Sequence, residues 1–72
     1  MKTGWHAYLE EDELGCGFVF IQKGEDKRRR ETYGEFSPSE MEEHRDMVDA
    51  ILHEAHVIAN GRNSESNKEI SS

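Results

Sequence analysis

The stretch Phe36–Met41, with sequence FSPSEM, decides the fold because it carries every signal that starts an α-helix. The Ser37 side chain can accept a hydrogen bond from a free backbone N–H of the first turn. The Glu40 side chain, three residues on, can accept one from the backbone N–H of Ser37. Pro38 stands at the first helical position, where its missing N–H costs nothing. The two ends of the stretch are apolar and suit a hydrophobic staple. We therefore predict a helix that begins at Pro38.

The same helix has a predicted end and a predicted buried stripe. Gly61 follows Asn60 and can adopt the left-handed conformation that ends helices, so the prediction is one helix over Pro38–Asn60. Apolar residues, joined by His44 as a boundary residue, recur along it at three- and four-residue steps, as in a helix that packs on one side. These residues are Met41, His44, Val48, Ile51, Leu52, Ala55, Ile58 and Ala59.

Three segments upstream of the helix have strand patterns: Trp5–Leu9, Cys16–Gln22 and Glu31–Phe36. In the first, Trp5 and Tyr8 fall on opposite faces. The second has large apolar residues on both faces, which is typical of a central strand. The predicted fold class is therefore α+β: a small three-stranded antiparallel sheet in β-β-β-α order, with one long C-terminal helix packed on one face.

This architecture leaves one face of the sheet without a helix. The second strand is apolar on that face too, and exposed apolar patches usually mark interaction sites. A 72-residue chain also buries little surface by itself and often gains stability from a second copy. We therefore predict that the uncovered face binds a partner or forms a homodimer.

Composition narrows the class of protein. We predict one domain over residues 1–61 and a disordered polar tail over residues 62–72, which has a single isolated apolar residue. The single cysteine, Cys16, excludes an internal disulfide and is expected to be buried as a small apolar residue. No apolar run has the length of a membrane span, and the N-terminus lacks a signal-peptide pattern, so we expect a cytoplasmic protein. No motif commits the chain to a reaction, and no enzyme activity or cofactor is predicted.

Charge indicates the kind of partner. The net charge of −7 argues against a general nucleic-acid binder and favours a protein with a basic surface. Asp46 and Asp49 lie too far along the predicted helix for the helix dipole to explain them, and Glu42 and Asp46 form a like-charge i,i+4 pair. The candidate partner-binding residues are Glu10, Glu11, Asp12 and Glu13 in the first loop, Glu42, Asp46 and Asp49 in the helix, and Trp5 or Tyr8 as an aromatic anchor.

The predicted function is a small acidic protein-binding module, an adaptor or inhibitor of a larger partner with a basic surface. Its size and acidity resemble, in type only, the small accessory proteins of phages and other mobile elements. One alternative is a nucleic-acid mimic that blocks a DNA- or RNA-binding protein. Another is a metal-binding module, because Asp49, His53 and His56 share a helix face, although His6 or a second subunit would have to complete the site. The cationic run Lys27–Arg30 is expected to be a solvated hairpin tip, with contact to nucleic acid or to a second copy as alternatives.

Overall fold

The computed structural model describes the backbone of residues 4–71 and the side chains of residues 4–64. Strands β1 (Trp5–Glu11), β2 (Gly17–Lys23) and β3 (Arg30–Phe36) form one antiparallel sheet, and helices α1 (Pro38–Glu43) and α2 (Arg45–Ser71) follow. A single turn of 3₁₀-helix at Lys27–Arg29 precedes β3. The predicted α+β class and β-β-β-α order are confirmed.

β2 lies between β1 and β3, as its apolar character on both faces predicted. Its side chains divide by parity: Val19 and Ile21 are fully buried under the helices, and Phe18 and Phe20 point to the opposite face. Gly17 begins the strand at a point of close contact, since a Cβ there would overlap the Met41 side chain. The absence of a side chain at Gly17 leaves room for Met41 of α1 to pack on the sheet.

The core lies between the sheet and the helices. It consists of Ala7, Val19, Ile21 and Phe36 from the strands and Met41, Val48, Ala55 and Ala59 from the helices, with Trp5, Leu9, Ile51, Leu52 and Ile58 packed around it. The predicted helical stripe is therefore the buried one, except for His44, which is exposed.

The predicted helix start is confirmed in detail. The Glu40 backbone N–H donates to Ser37 Oγ at 3.3 Å, and the Ser37 backbone N–H donates to Glu40 Oε1 at 3.0 Å. These two bonds form a capping box. The hydrogen bonds from Ser37 lower the pKa of Glu40, because they favour the charged carboxylate.

The prediction of one uninterrupted helix is wrong, because the helical backbone breaks at His44. That residue has φ −122° and ψ 45°, outside the helical region, and caps α1 by donating its backbone N–H to the Glu40 carbonyl at 2.8 Å. The break separates α1, whose Met41 packs on Gly17, from α2, which lies along β1 and β2.

The predicted helix end at Asn60 is also wrong, since α2 continues through Gly61 to Ser71. Gly61 does not take a positive φ, and the next two residues, Arg62 and Asn63, contact the sheet. Both residues fall in the predicted tail, and the domain boundary at residue 61 stays a prediction. The predicted disorder of residues 65–72 stays a prediction, because the side chains of these residues lie outside the described part of the chain.

Neither α1 nor α2, over the part of the chain that is described, combines the length and the apolar character that crossing a bilayer requires.

Candidate functional site

The face of the sheet opposite the helices is called here the open face. Alternation along each strand assigns it three residues per strand. They are His6, Tyr8 and Glu10 from β1, Phe18, Phe20 and Gln22 from β2, and Arg30, Thr32 and Glu35 from β3. A β-bulge in β3 makes this set possible: the pairing shifts between Val19 and Phe20, so that Tyr33 is the extra residue and Thr32 and Glu35 share a face.

Aromatic rings form a continuous row along the open face. The Phe18 and Phe20 rings are nearly parallel, at 13°, with centroids 6.0 Å apart. The Tyr8 ring lies 5.5 Å from Phe20, and the His6 ring 5.7 Å from Tyr8. These separations are those of favourable aromatic pairs, so the row packs on itself without a covering helix.

One half of the open face is covered by its own side chains. The Arg30 guanidinium lies over the Phe20 ring, 4.1 Å from its centroid, and leaves that ring only 9 % exposed. Arg30 Nη1 also donates to the Tyr8 hydroxyl at 3.3 Å and lies 3.7 Å from Glu10 Oε2. The Tyr8 hydroxyl in turn donates to Gln22 Oε1 at 2.9 Å, which satisfies a buried amide.

The other half is centred on Phe18, which has a carboxylate on each side. Glu10 of β1 and Glu35 of β3 are its two cross-strand neighbours. Beside Phe18 an open pocket lies where β2 begins and β3 ends. The residues that line it are Cys16, Phe18, Glu35, Phe36 and Ser37.

The thiol of Cys16 in this pocket is suited to packing. Burial raises its pKa, and the charge and hydrogen bond of Asp12 raise it further. Since the thiolate is the nucleophilic form, a raised pKa keeps the group protonated and unreactive at neutral pH. The sequence predicted that Cys16 is buried as a small apolar residue, whereas the structure leaves it half-buried.

The acidic loop predicted after the first strand forms the end of β1 and the β1–β2 turn. Asp12 Oδ1 accepts hydrogen bonds from the backbone N–H groups of Leu14 and Cys16, both at 2.9 Å, so its carboxylate shapes the turn. Glu11 lies 3.8 Å from the Arg45 guanidinium. Glu13 is exposed, and beside it Leu14 is 80 % exposed, an apolar tip among carboxylates.

The structure gives the helix carboxylates local explanations that the sequence did not. Because the helix restarts at Arg45, Asp46 stands in the first turn of α2, where the dipole favours a negative charge. Asp49 pairs with Arg45 at 3.6 Å, one turn away. Glu42 and Asp46 lie on opposite sides of the break, so they are not i,i+4 neighbours in one helix. A partner-binding role for these three residues stays a prediction, without its original argument.

The two predicted aromatic anchors lie on opposite faces, as alternation predicted. Trp5 packs on the helix side, under the Arg62 guanidinium at 4.6 Å and near Lys23 Nζ at 6.0 Å. Tyr8 lies on the open face with Arg30. The sequence analysis missed Phe18, Glu35 and Arg30 as site residues. Alternation along β2 placed Phe18 on this face, but the bulge that brings Glu35 beside it left no signal.

Two other candidate sets are not assembled by the structure. Asp49, His53 and His56 are exposed on α2, and among the described residues no three His, Cys, Asp or Glu side chains are grouped as metal ligands. In the Lys27–Arg30 run, Arg28 and Arg29 lie within 3.6 and 4.0 Å of Asp26 at the hairpin tip. Arg30 leaves the tip and joins the open face.

Comparison of the chain with protein-family models, with curated proteins and with solved structures finds no match. Its function is therefore argued from the geometry of the open face.

Proposed function

We propose that this protein is a small protein-binding module that docks a basic segment of its partner on the open face, at the end that carries Glu10, Phe18 and Glu35. The observation that carries the proposal is the position of Phe18. It is a large apolar side chain on a face that no helix of the described residues covers, with a carboxylate on the strand at each side. Apolar contact area with a charged rim is the usual anatomy of a protein interface.

Charge supports a basic protein as the partner. Besides Glu10 and Glu35, the neighbouring turn contributes Glu13, which is exposed. Carboxylates at this density repel phosphate groups and raise the association rate of cationic partners. The exposed Leu14 offers an apolar contact at the rim of the same region. An adaptor or an inhibitor would both use such a surface.

The open face is a better docking surface than the outer side of α2. The carboxylate of Asp49 is paired with Arg45, and Asp46 compensates the α2 dipole, whereas Glu35 of the open face makes no ion pair among the described residues. We therefore propose that α2 supports the sheet and that the open face binds.

The test is a titration of ¹⁵N-labelled protein with a blocked hexa-arginine peptide, with hexa-glutamate as the control peptide. We expect amide shifts around Glu10, Phe18 and Glu35 that weaken as salt increases, because exposed charges are screened. Shifts concentrated around Asp46 and Asp49 would instead assign binding to α2. An equal response to hexa-glutamate would contradict a basic partner.

A charge-matched pair of double variants tests the same surface. E10Q/E35Q removes two charges from the open face, whereas E42Q/E43Q removes two exposed charges from α1. We expect the first variant to bind hexa-arginine several-fold more weakly and the second to bind like the wild type. Equal losses in both would indicate that only net charge matters. Sedimentation of the unliganded protein tests the predicted homodimer in parallel.

A further inference from the structure

The chain shows on its own open face how that face holds a guanidinium group. Arg30 stacks on the Phe20 ring at 4.1 Å while its Nη1 lies 3.7 Å from the Glu10 carboxylate on a neighbouring strand. An aromatic ring thus supplies the flat surface, and a carboxylate supplies the counter-charge. Arginine is the cation best suited to both contacts, because its planar group stacks and pairs at once.

Phe18 and Glu35 repeat this arrangement one step along β2. The Phe18 ring is nearly parallel to that of Phe20, and Glu35 is its register neighbour on β3, as Glu10 is on β1. Among the described residues, no cation lies over the Phe18 ring and Glu35 makes no ion pair. Both groups are therefore available to a cation from outside the chain.

The pocket beside Phe18 fits the rest of an arginine side chain. Phe18 provides an apolar wall for the methylene stem, and Glu35 provides the single carboxylate. Cys16 adds a neutral thiol. Long cationic side chains bind in this manner, with an apolar stem against hydrocarbon and the charged head at a polar rim.

We infer that this pocket takes one arginine side chain of the partner, which stacks on Phe18 and pairs with Glu35. The inference rests on the proposed docking of a basic segment on the open face. At one position of that segment the pocket thus selects arginine, and positive charge alone is not sufficient.

The test uses N-acetyl-arginine methylamide as the probe. Its lysine analogue, which keeps the charge without the planar group, should bind more weakly, and its citrulline analogue is a control of the same shape without charge. We expect the arginine probe to shift the amides of Phe18, Glu35 and Ser37, and the citrulline probe to leave them unchanged. E35Q should weaken binding by up to about fivefold, the upper end for an exposed ion pair. F18L, which stays apolar but has no ring, should weaken it as well. E43Q, an exposed carboxylate of α1 outside the pocket, should bind like the wild type.

Different outcomes separate this inference from the function on which it rests. If hexa-arginine binds the wild type and E35Q equally but loses affinity in E10Q, the pocket does not read arginine, although the open face still docks basic segments. Equal binding of citrulline and arginine likewise overturns the inference. If hexa-arginine does not bind the wild type at all, the proposed function fails and the inference fails with it.

Discussion

Asp12 is the residue on which the geometry of the β1–β2 turn depends. Its Oδ1 accepts two backbone hydrogen bonds, while Gly15 takes the positive φ of 92° that the turn requires. The same carboxylate lies beside the Cys16 thiol. Burial first, and then the charge and hydrogen bond of Asp12, raise the pKa of Cys16. One side chain thus shapes the turn and also suppresses thiol reactivity at the edge of the proposed pocket.

The substitution D12N should make Cys16 react faster with iodoacetamide at mildly alkaline pH. Asparagine keeps the oxygen that accepts the turn hydrogen bonds but removes the charge, so the pKa of Cys16 falls and its thiolate fraction rises. The rate is measured by mass spectrometry, and the gain should shrink at pH values above the thiol pKa, where both proteins are ionised. E13Q removes the same charge one residue away and should leave the rate nearly unchanged. An unchanged rate in D12N would show that burial alone raises this pKa.

The position of Asp46 relative to the start of its helix could not be determined from the sequence. In one continuous helix it stood in the third turn, too far from the N-terminus for the dipole to favour it, and we interpreted its charge as functional. The break at His44 places it in a first turn, where the charge is locally favourable. That break occurs where α1 packs against Gly17, a contact between segments distant in the chain. Periodicity in the sequence therefore could not reveal it.

At the scale of elements, the N-terminus of α1 makes the stability of the fold depend on pH. Hydrogen bonds from Ser37, the backbone bond foremost, lower the pKa of Glu40, with a further contribution from the charge of His44. A carboxyl whose pKa is lower in the folded state stabilises the fold above its unfolded pKa and loses that contribution as pH falls through its folded value.

E40Q should therefore have a lower Tm than the wild type at neutral pH, and the difference should narrow as pH falls through the acidic range. Glutamine keeps the acceptor oxygen of the capping box, so the variant isolates the charge. Thermal unfolding followed by circular dichroism from neutral to acidic pH measures the difference. E43Q lies in the same helix but outside the capping box, so its Tm difference from the wild type should not narrow in this way at acidic pH. A gap between E40Q and wild type that stays constant with pH would contradict this assignment.

Structural features that depend on neighbouring residues were predictable from the sequence, whereas features that depend on distant contacts were not. The capping box lies within four consecutive residues, and the central position of β2 follows from its own apolar pattern, so both were predicted correctly. The end of α2 was not, because a glycine within a helix costs only about 1 kcal/mol and contacts elsewhere can outweigh it. The bulge at Tyr33 depends on pairing with β2, and it alone brings Glu35 to the side of Phe18.

At the scale of the whole molecule, the two residues after Gly61, Arg62 and Asn63, connect α2 to both outer strands of the sheet. The Trp5 backbone N–H donates to Asn63 Oδ1, and Asn63 Nδ2 donates to the Trp5 carbonyl, both at 2.8 Å. The amide thus occupies the place of a neighbouring strand at the outer edge of β1 and blocks pairing there. Arg62 stacks on Trp5 and bonds Glu31 at 2.7 Å. α2 is therefore fastened to β1 and β3 at once.

A chain that ends at Gly61 should consequently be less stable than one that ends at Ser64. The shorter chain lacks the two hydrogen bonds of Asn63 and the stacking of Arg62 on Trp5, which together contribute about 2 kcal/mol to the free energy of unfolding. Urea unfolding of both chains measures the difference. N63A in the longer chain should reproduce part of the loss, whereas N60A, exposed on the same helix, should not. Equal stability of the two truncated chains would contradict this stabilising role and support the predicted domain boundary at residue 61.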